Sequence, residues 1–209
     1  VRHRSHPHDQ TIRLADGTRL SLRPLRRSDR ALIADGFARL SETSRYTRFF
    51  TLVPELAPSM LTYLTEIDHR DHEALVAIDP ADGRLAGVAR CVRLPSADGG
   101  TAEVAVTVVD AWQGRGLGRT LLRALAQRAR ALGVRRLLAI VKADNLPAVR
   151  LFTALGPSTV ARAGAELEIT IDIGAIPGRR QRPRGRRRGD RPPERPHRSA
   201  SAPRSAPGG

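Results

Sequence analysis

The segment that most constrains the chain runs from Thr107 to Arg119, TVVDAWQGRGLGR. A β-branched run enters a loop with glycine at every second position, and a helical pattern begins directly behind it. A strand-to-helix joint of this kind leaves the first N–H groups of the helix without internal partners, aimed at whatever anion lies in front of them. Gly114, Gly116 and Gly118 take away side chains that would hold a diphosphate off, and Arg115 and Arg119 add positive charge. A P-loop is excluded because its Lys-Ser/Thr pair is missing. The dinucleotide fingerprint fits poorly, since the third glycine has the wrong offset and an antiparallel meander precedes it. Taken alone, the glycines fit an anion site and a structural loop equally well.

The flanking patterns supply a fold. Thr11–Leu14 and Arg19–Arg23 around Asp16-Gly17 predict a hairpin. A helix follows from Ser28 or Asp29 to about Leu40, with Leu32, Ile33, Phe37 and Leu40 on one stripe, and a second after Pro58 carries Leu61, Leu64 and Ile67. Ala74–Ile78, Arg84–Arg93 and Thr101–Val109 read as an antiparallel meander. The glycine loop then opens a helix from about Gly118 to Leu132. Leu137–Val141 is a short, continuously apolar strand of the kind buried on both faces. A helix after Asn145 and Pro147 and a hairpin of Ser158–Arg162 with Glu166–Ile173 close the domain. The expected class is α/β (α+β), a mixed and mostly antiparallel twisted sheet flanked by about four helices.

Charge is concentrated at one end. Of the net +15, nine charges fall in residues 177–209, a stretch of Arg, Pro, Gly and Ser with almost nothing to bury. That stretch is expected to be a disordered tail, residues 1–10 a disordered lead-in and 11–176 the folded domain. Lys142 is the only lysine, so the arginine excess reflects codon usage more than nucleic-acid binding. Non-specific phosphate contact by the tail is the residual expectation, not the function. A lone Cys91 excludes an intramolecular disulfide, and His3, His6 and His8 lack partners at ligand spacing, so no metal is expected. No apolar run reaches the roughly 20 residues of a membrane span, and no signal core opens the chain. The expected location is cytoplasmic.

Gln113-Gly114-Arg115-Gly116-Leu117-Gly118 resembles the acyl-CoA-binding motif of the GNAT superfamily of N-acetyltransferases, Gln/Arg-x-x-Gly-x-Gly/Ala. The order of elements over Thr11–Ile173 is similar to that family's topology, and the stretch from Asn145 to Phe152 resembles its second CoA-contacting segment. Arg23-Pro24-Leu25-Arg26, with Leu40 to Phe50 (LSETSRYTRFF), is similar to the acetyltransferase domain of bacterial protein-lysine acetyltransferases of the Pat type. Members of that group also carry a cyclic-nucleotide-binding or an acyl-CoA-synthetase-like region, for which this chain has no residues.

The resemblance implies acetyl-CoA as co-substrate and a lysine of an acceptor protein, such as an acyl-CoA synthetase, as target; a small-molecule amine is the alternative. It also implies a general base at Glu103, ten residues before Gln113. Glu103, Ala105, Thr107 and Val109 alternate with Val104, Val106 and Val108, so a buried valine face turns Glu103 to the cleft. Val106, Thr107 and Val108 would pair with the pantetheine arm, and an N–H near Thr107–Val108 would meet the developing oxyanion. Gln113, Gly114, Arg115, Gly116, Leu117, Gly118 and Arg119 would hold the diphosphate. Asn145 fits a cofactor contact and a helix cap equally. Many relatives place an acidic tyrosine where Phe152 stands; here the thiolate would leave without it, or the chain would be an idle acyl-CoA sensor. His69 and His72 are expected in a solvated loop, and Cys91 in the core.

Overall fold

A computed structural model describes residues 9–95 and 100–174. The expectations for residues 1–8 and for the basic tail lie outside them. Eight strands form one sheet in the order β1-β2-β3-β4-β5-β6-β8-β7: β1 Gln10–Arg13, β2 Arg19–Pro24, β3 His72–Ile78, β4 Leu85–Arg93, β5 Thr101–Val108, β6 Arg136–Lys142, β7 Ser158–Ala163 and β8 Glu166–Asp172. Every neighbouring pair is antiparallel except β5 and β6. Strand β1 begins at Gln10, and Asp9 pairs with Arg26 at 3.2 Å, so order starts ahead of the expected Thr11.

Five helices flank the sheet: α1 Arg30–Ala38, α2 Glu42–Phe49, α3 Pro58–Thr65, α4 Leu117–Ala131 and α5 Leu146–Thr153. The expected four omit α2. Ser41 caps it, accepting from the Ser44 N–H at 3.2 Å, but none of its residues is fully buried. Its apolar side is only Tyr46 and Phe49, of which Phe49 packs on Phe37, too few to mark a helix by hydrophobic periodicity. Helix α4 is the opposite case, burying Leu117, Leu121, Leu122, Leu125, Ala126 and Ala129 on one face at helical spacing.

Two apolar layers hold the sheet between them. On one face, α4 meets Leu75, Ala77, Ala89, Val104, Leu137 and Ala139. On the other, Leu25, Ile33, Leu64, Ala74, Val76 and Leu85 pack beneath α1 and α3. Strand β6 departs from expectation: Leu137, Ala139 and Val141 are buried, whereas Leu138 and Ile140 on the second face are only half-covered. That half-covered face fronts the gap described below.

The Arg23-Pro24-Leu25-Arg26 segment is scaffold. Arg23 grips Asp29 with two bonds of 2.6 and 2.7 Å, the Arg26 N–H donates to the same carboxylate at 2.7 Å, and Leu25 is fully buried. Under α4 lies a second enclosed charge. Glu73 is 1% exposed and accepts from Arg128 at 2.8 and 3.0 Å, from the Ala74 N–H at 2.9 Å, and contacts His69 Nδ1 at 2.9 Å. Removing the cation strands a carboxylate out of water, which costs several kcal/mol. Arg128→Met is therefore expected to destabilise the protein by about 3 kcal/mol and lower Tm by about 6–12 °C. Thermal unfolding checks this; a Tm within about 2 °C of the parent would mean that His69 and the backbone satisfy Glu73 alone.

Candidate active site

The site is organised by a place where the sheet comes apart. Strands β5 and β6 pair only over Thr101–Glu103 and Arg136–Leu138, and beyond that they diverge. On its other side β5 stays bound to β4, with the Val109 N–H donating to the Ala86 carbonyl at 3.0 Å. Peptide groups alternate along a strand, so those of Thr107 and Ala105 face β4 and those of Val106 and Val108 face the gap. The N–H expected near Thr107–Val108 thus belongs to Val108 or Val106; Thr107 is committed to the ladder. Glu103, the last paired residue of β5, stands exposed at the apex of the opening.

The glycine loop closes the wide end. Gly114 and Gly116 have φ of 72° and 81°, and nothing lies within 4 Å of where their Cβ atoms would be. Their absent side chains serve backbone conformation, not clearance. Gly116 caps α4 without a side-chain acceptor, which leaves the N–H groups of Leu117, Gly118 and Arg119 open at the positive end of the helix. Gly118 differs from both: it has no positive φ, and a Cβ there would meet Leu151 of α5 at 3.4 Å and Val108 at 3.6 Å, ordinary packing distances that leave room for an alanine.

Side chains of the loop mostly brace it. Arg115 bonds Asp16 and Thr18 of the first hairpin at 2.7 and 2.6 Å and lies 4.4 Å from the Trp112 ring. Hydrogen bonds from Thr18, and then from Arg115, hold the Asp16 carboxyl down at about 2. The Gln113 amide donates to Ser44, to the Val108 carbonyl and to Asp110 at 3.1, 3.1 and 3.2 Å. Asp110 in turn accepts from the Ser41 N–H and the Ser44 hydroxyl at 2.8 and 2.7 Å, docking α2 on the end of β5. Burial works against that carboxylate, but these bonds outweigh it and keep its pKa below the usual value. Arg119 is exposed and has no hydrogen bond or ion pair among the described residues. Asn145 caps α5, accepting from the Ala148 N–H at 3.2 Å.

On the Glu103 face a pocket opens between α1, α2, α3 and strands β4 and β5. Ile33, Phe37, Leu64 and Val88 give it apolar walls, Thr107 and Val109 belong to its β5 side, and Arg48 and Arg90 bring two charges. Lys142 closes over the gap from β6, its ammonium 4.8 Å from the Tyr46 ring and 5.6 Å from the Phe50 ring at the end of α2. His72 is not in a solvated loop, as expected from sequence: it begins β3, half-buried, 3.4 Å from Arg90 and 5.4 Å from the Tyr63 ring. Phe152 and Cys91 are buried, and burial pushes the Cys91 thiol up to about 12.

Arg48, Arg90, Asp110 and the Ser41–Ser44 pair carry no marker that composition or periodicity would isolate. Arg90 left one trace, a charge in the middle of the apolar strand LAGVARCVR.

Comparison with known proteins agrees with this geometry. Residues 40–156 match the Acetyltransferase (GNAT) family. Acetyltransferase PA5475 of Pseudomonas aeruginosa is 36% identical over 143 residues, covering 68% of this chain and 77% of the relative. Acetyltransferase Pat of Mycolicibacterium smegmatis is 34% identical over 165 residues, 79% of this chain, which spans only 49% of that protein. The solved GNAT domain of S. lividans PAT superposes with a TM-score of 0.74 at 29% identity, over 80% of this chain and 99% of that domain.

The cleft has a pH signature. Burial, then the neighbouring Arg90, pushes the His72 pKa down to about 4 from 6.5. Between those values the unfolded chain binds a proton that the folded chain refuses, so stability rises with pH and is lost as pH falls from 6.5 towards 4. With the ring half-exposed, the loss is expected to be about 1–2 kcal/mol. Denaturant unfolding across this range should show the slope in the parent and a shallower one in His72→Gln; equal slopes would refute it.

Proposed function

The chain belongs to the GNAT acetyltransferase family, and from that membership we propose that it acetylates a lysine of an acceptor protein, with Glu103 as the general base. It is an acetyl-CoA-dependent acetyltransferase; the acceptor and the base are the proposal. The observation that carries it is the position of Glu103 at the apex of the divergence between β5 and β6, on the face that holds the pocket. Resemblance to proteins named Pat supports a protein lysine as acceptor.

The residues fit acetyl-CoA. Open N–H groups of Leu117, Gly118 and Arg119, with the exposed Arg119 side chain, would take the diphosphate, and Val108 would pair with the pantetheine amides as an added strand does. Bound there, acetyl-CoA supplies an acyl carbon already attached to a thiol leaving group. With the diphosphate at the loop and the base at the apex, Val106 is the gap-facing residue nearer Glu103. Its N–H would meet the carbonyl oxygen as negative charge develops.

Glu103 does the proton work. A lysine ammonium, with pKa about 10.4, holds its proton at neutral pH and has no lone pair to offer until a base removes it. Phe152 is buried in the core and has no proton to give, so it is not the acid for the leaving thiolate.

Glu103→Gln is expected to lower kcat about 100-fold or more while CoA affinity by calorimetry stays within about twofold. Unchanged turnover would remove Glu103 from the mechanism. Incubation with labelled acetyl-CoA and a lysate, followed by identification of the label, tests the acceptor: label on small amines alone would overturn the protein-lysine assignment.

We place the catalytic domain at residues 11–176, with Gln10, which opens β1, and Asp9 added at its start. Deleting Pro177–Gly209 is then expected to spare acetyl transfer and abolish any salt-sensitive binding to nucleic acid. Loss of transfer in a steady-state assay would move the boundary.

A further inference from the structure

The pocket on the Glu103 face is lined by two arginines, Arg48 and Arg90, and by no carboxylate among the described residues. Arg90 is 6% exposed and lies in register between Ala74 and Ala105, two small residues. Its guanidinium donates to the Leu64 carbonyl at 3.1 Å and meets His72 at 3.4 Å, with no carboxylate within 4 Å among the described residues. Arg48 reaches the same pocket from α2, its guanidinium 5.0 Å from the Phe49 ring, and makes no hydrogen bond or ion pair with any described residue. Burial, followed for Arg90 by the charge of Arg48, draws both guanidinium pKa values down, that of Arg90 to about 10. Arg90 is a buried cation without an ion-pair partner among the described residues and Arg48 a half-buried one beside it; such charges are costly, and the neutral His72 does not compensate them.

Neighbouring positions suggest what completes the set. Glu103 lies opposite Val92 and Arg90 opposite Ala105, so Glu103 and Arg90 are diagonal neighbours on the same face, about 7 Å apart at Cβ. Glu103 is also the carboxylate whose field Arg48 feels. One end of the pocket thus suits an ammonium and the other an anion, a few ångströms apart. Guanidinium forks match a carboxylate's two oxygens, and apolar walls strengthen such a bond.

We propose that the pocket selects acceptors carrying a carboxylate close to the reacting amine, the carboxylate bound by Arg48 and Arg90 and the amine facing Glu103. The proposal rests on the transferase reading and narrows its substrate class. The carboxylate has two possible sources: an acidic side chain beside the target lysine of a protein, or the α-carboxylate of a free amino acid.

The experiment uses the full chain and measures acceptor binding with CoA bound and turnover, separately, with acetyl-CoA. Two lysine peptides differing only in Glu or Gln beside the lysine form one pair, and free lysine with lysinamide forms the other. In at least one pair the carboxylate-bearing member is expected to bind about tenfold tighter or more, and that pair names the source. Arg48→Gln should bring the ratio near one, and Arg90→Lys, which keeps the charge but loses the fork, should reduce it. Melting temperature and CoA affinity confirm that the variants are folded. Ratios below about twofold in both pairs, or a ratio unaltered by Arg48→Gln, would overturn the proposal. A binding preference that survives without any acetylation would support the anion site and refute the acceptor reading instead.

Discussion

Everything in the site follows from the loss of pairing between β5 and β6 beyond Glu103 and Leu138. A parallel pair that continued to its ends would have buried the peptide groups of Val106 and Val108 in ladder bonds. At the wide end of the opening, Leu151 of α5 and Val108 of β5 converge on Gly118 at the first turn of α4. Helix α5 leaves β6 by way of the Asn145 cap, and the glycine loop leaves β5 by way of the Asp110 turn. Both connections emerge at the same end of the sheet, where parallel strands of an open α/β fold present their ligands.

The chemistry divides between the two faces of the sheet. On the α4 face the buried charges are matched, Glu73 by Arg128 and His69, and nothing there is left to react. On the α1 and α3 face, Arg48 and Arg90 lie beside a pocket and Glu103 stands at its edge, none of them ion-paired within the described residues. Neither face can exchange roles with the other, because a shift of one residue in β3 would carry Glu73 into the pocket and His72 under α4. Register in the central strands is therefore a functional constraint as much as a packing one.

The sheet was largely legible because its strands alternate and its turns carry Asp-Gly or glycine. Helix α4 was legible because six buried positions follow a 3.6-residue period. Helix α2 was not, since its docking is polar and distant in sequence: Ser41 and Ser44 reach Asp110 across 69 and 66 positions. The same distance hid the true work of Gln113 and Arg115, whose side chains brace the loop against α2 and the first hairpin. Glycine identities were visible but not their reasons: Gly114 and Gly116 adopt left-handed backbone, whereas Gly118 does not and has room for a Cβ.

The arginine bias also acquires a physical use. A guanidinium offers five donors in a fixed plane, so one residue can tie two segments that a lysine would only attract. Arg115 joins the loop to Asp16 and Thr18, and Arg45 joins α2 to the Pro54 and Ala38 carbonyls. Arg93 spans from Asp71 to the end of α4 at the Leu132 carbonyl. Arginines spent in this way add to the net charge of +15 without offering a surface to a polyanion. Arg48 breaks the pattern, with a guanidinium that makes no hydrogen bond or ion pair with any described residue, and Arg90 beside it ties segments together while buried without an ion-pair partner among those residues. The place where a cation lacks its counter-ion is then a better guide to a ligand than the total charge of the chain.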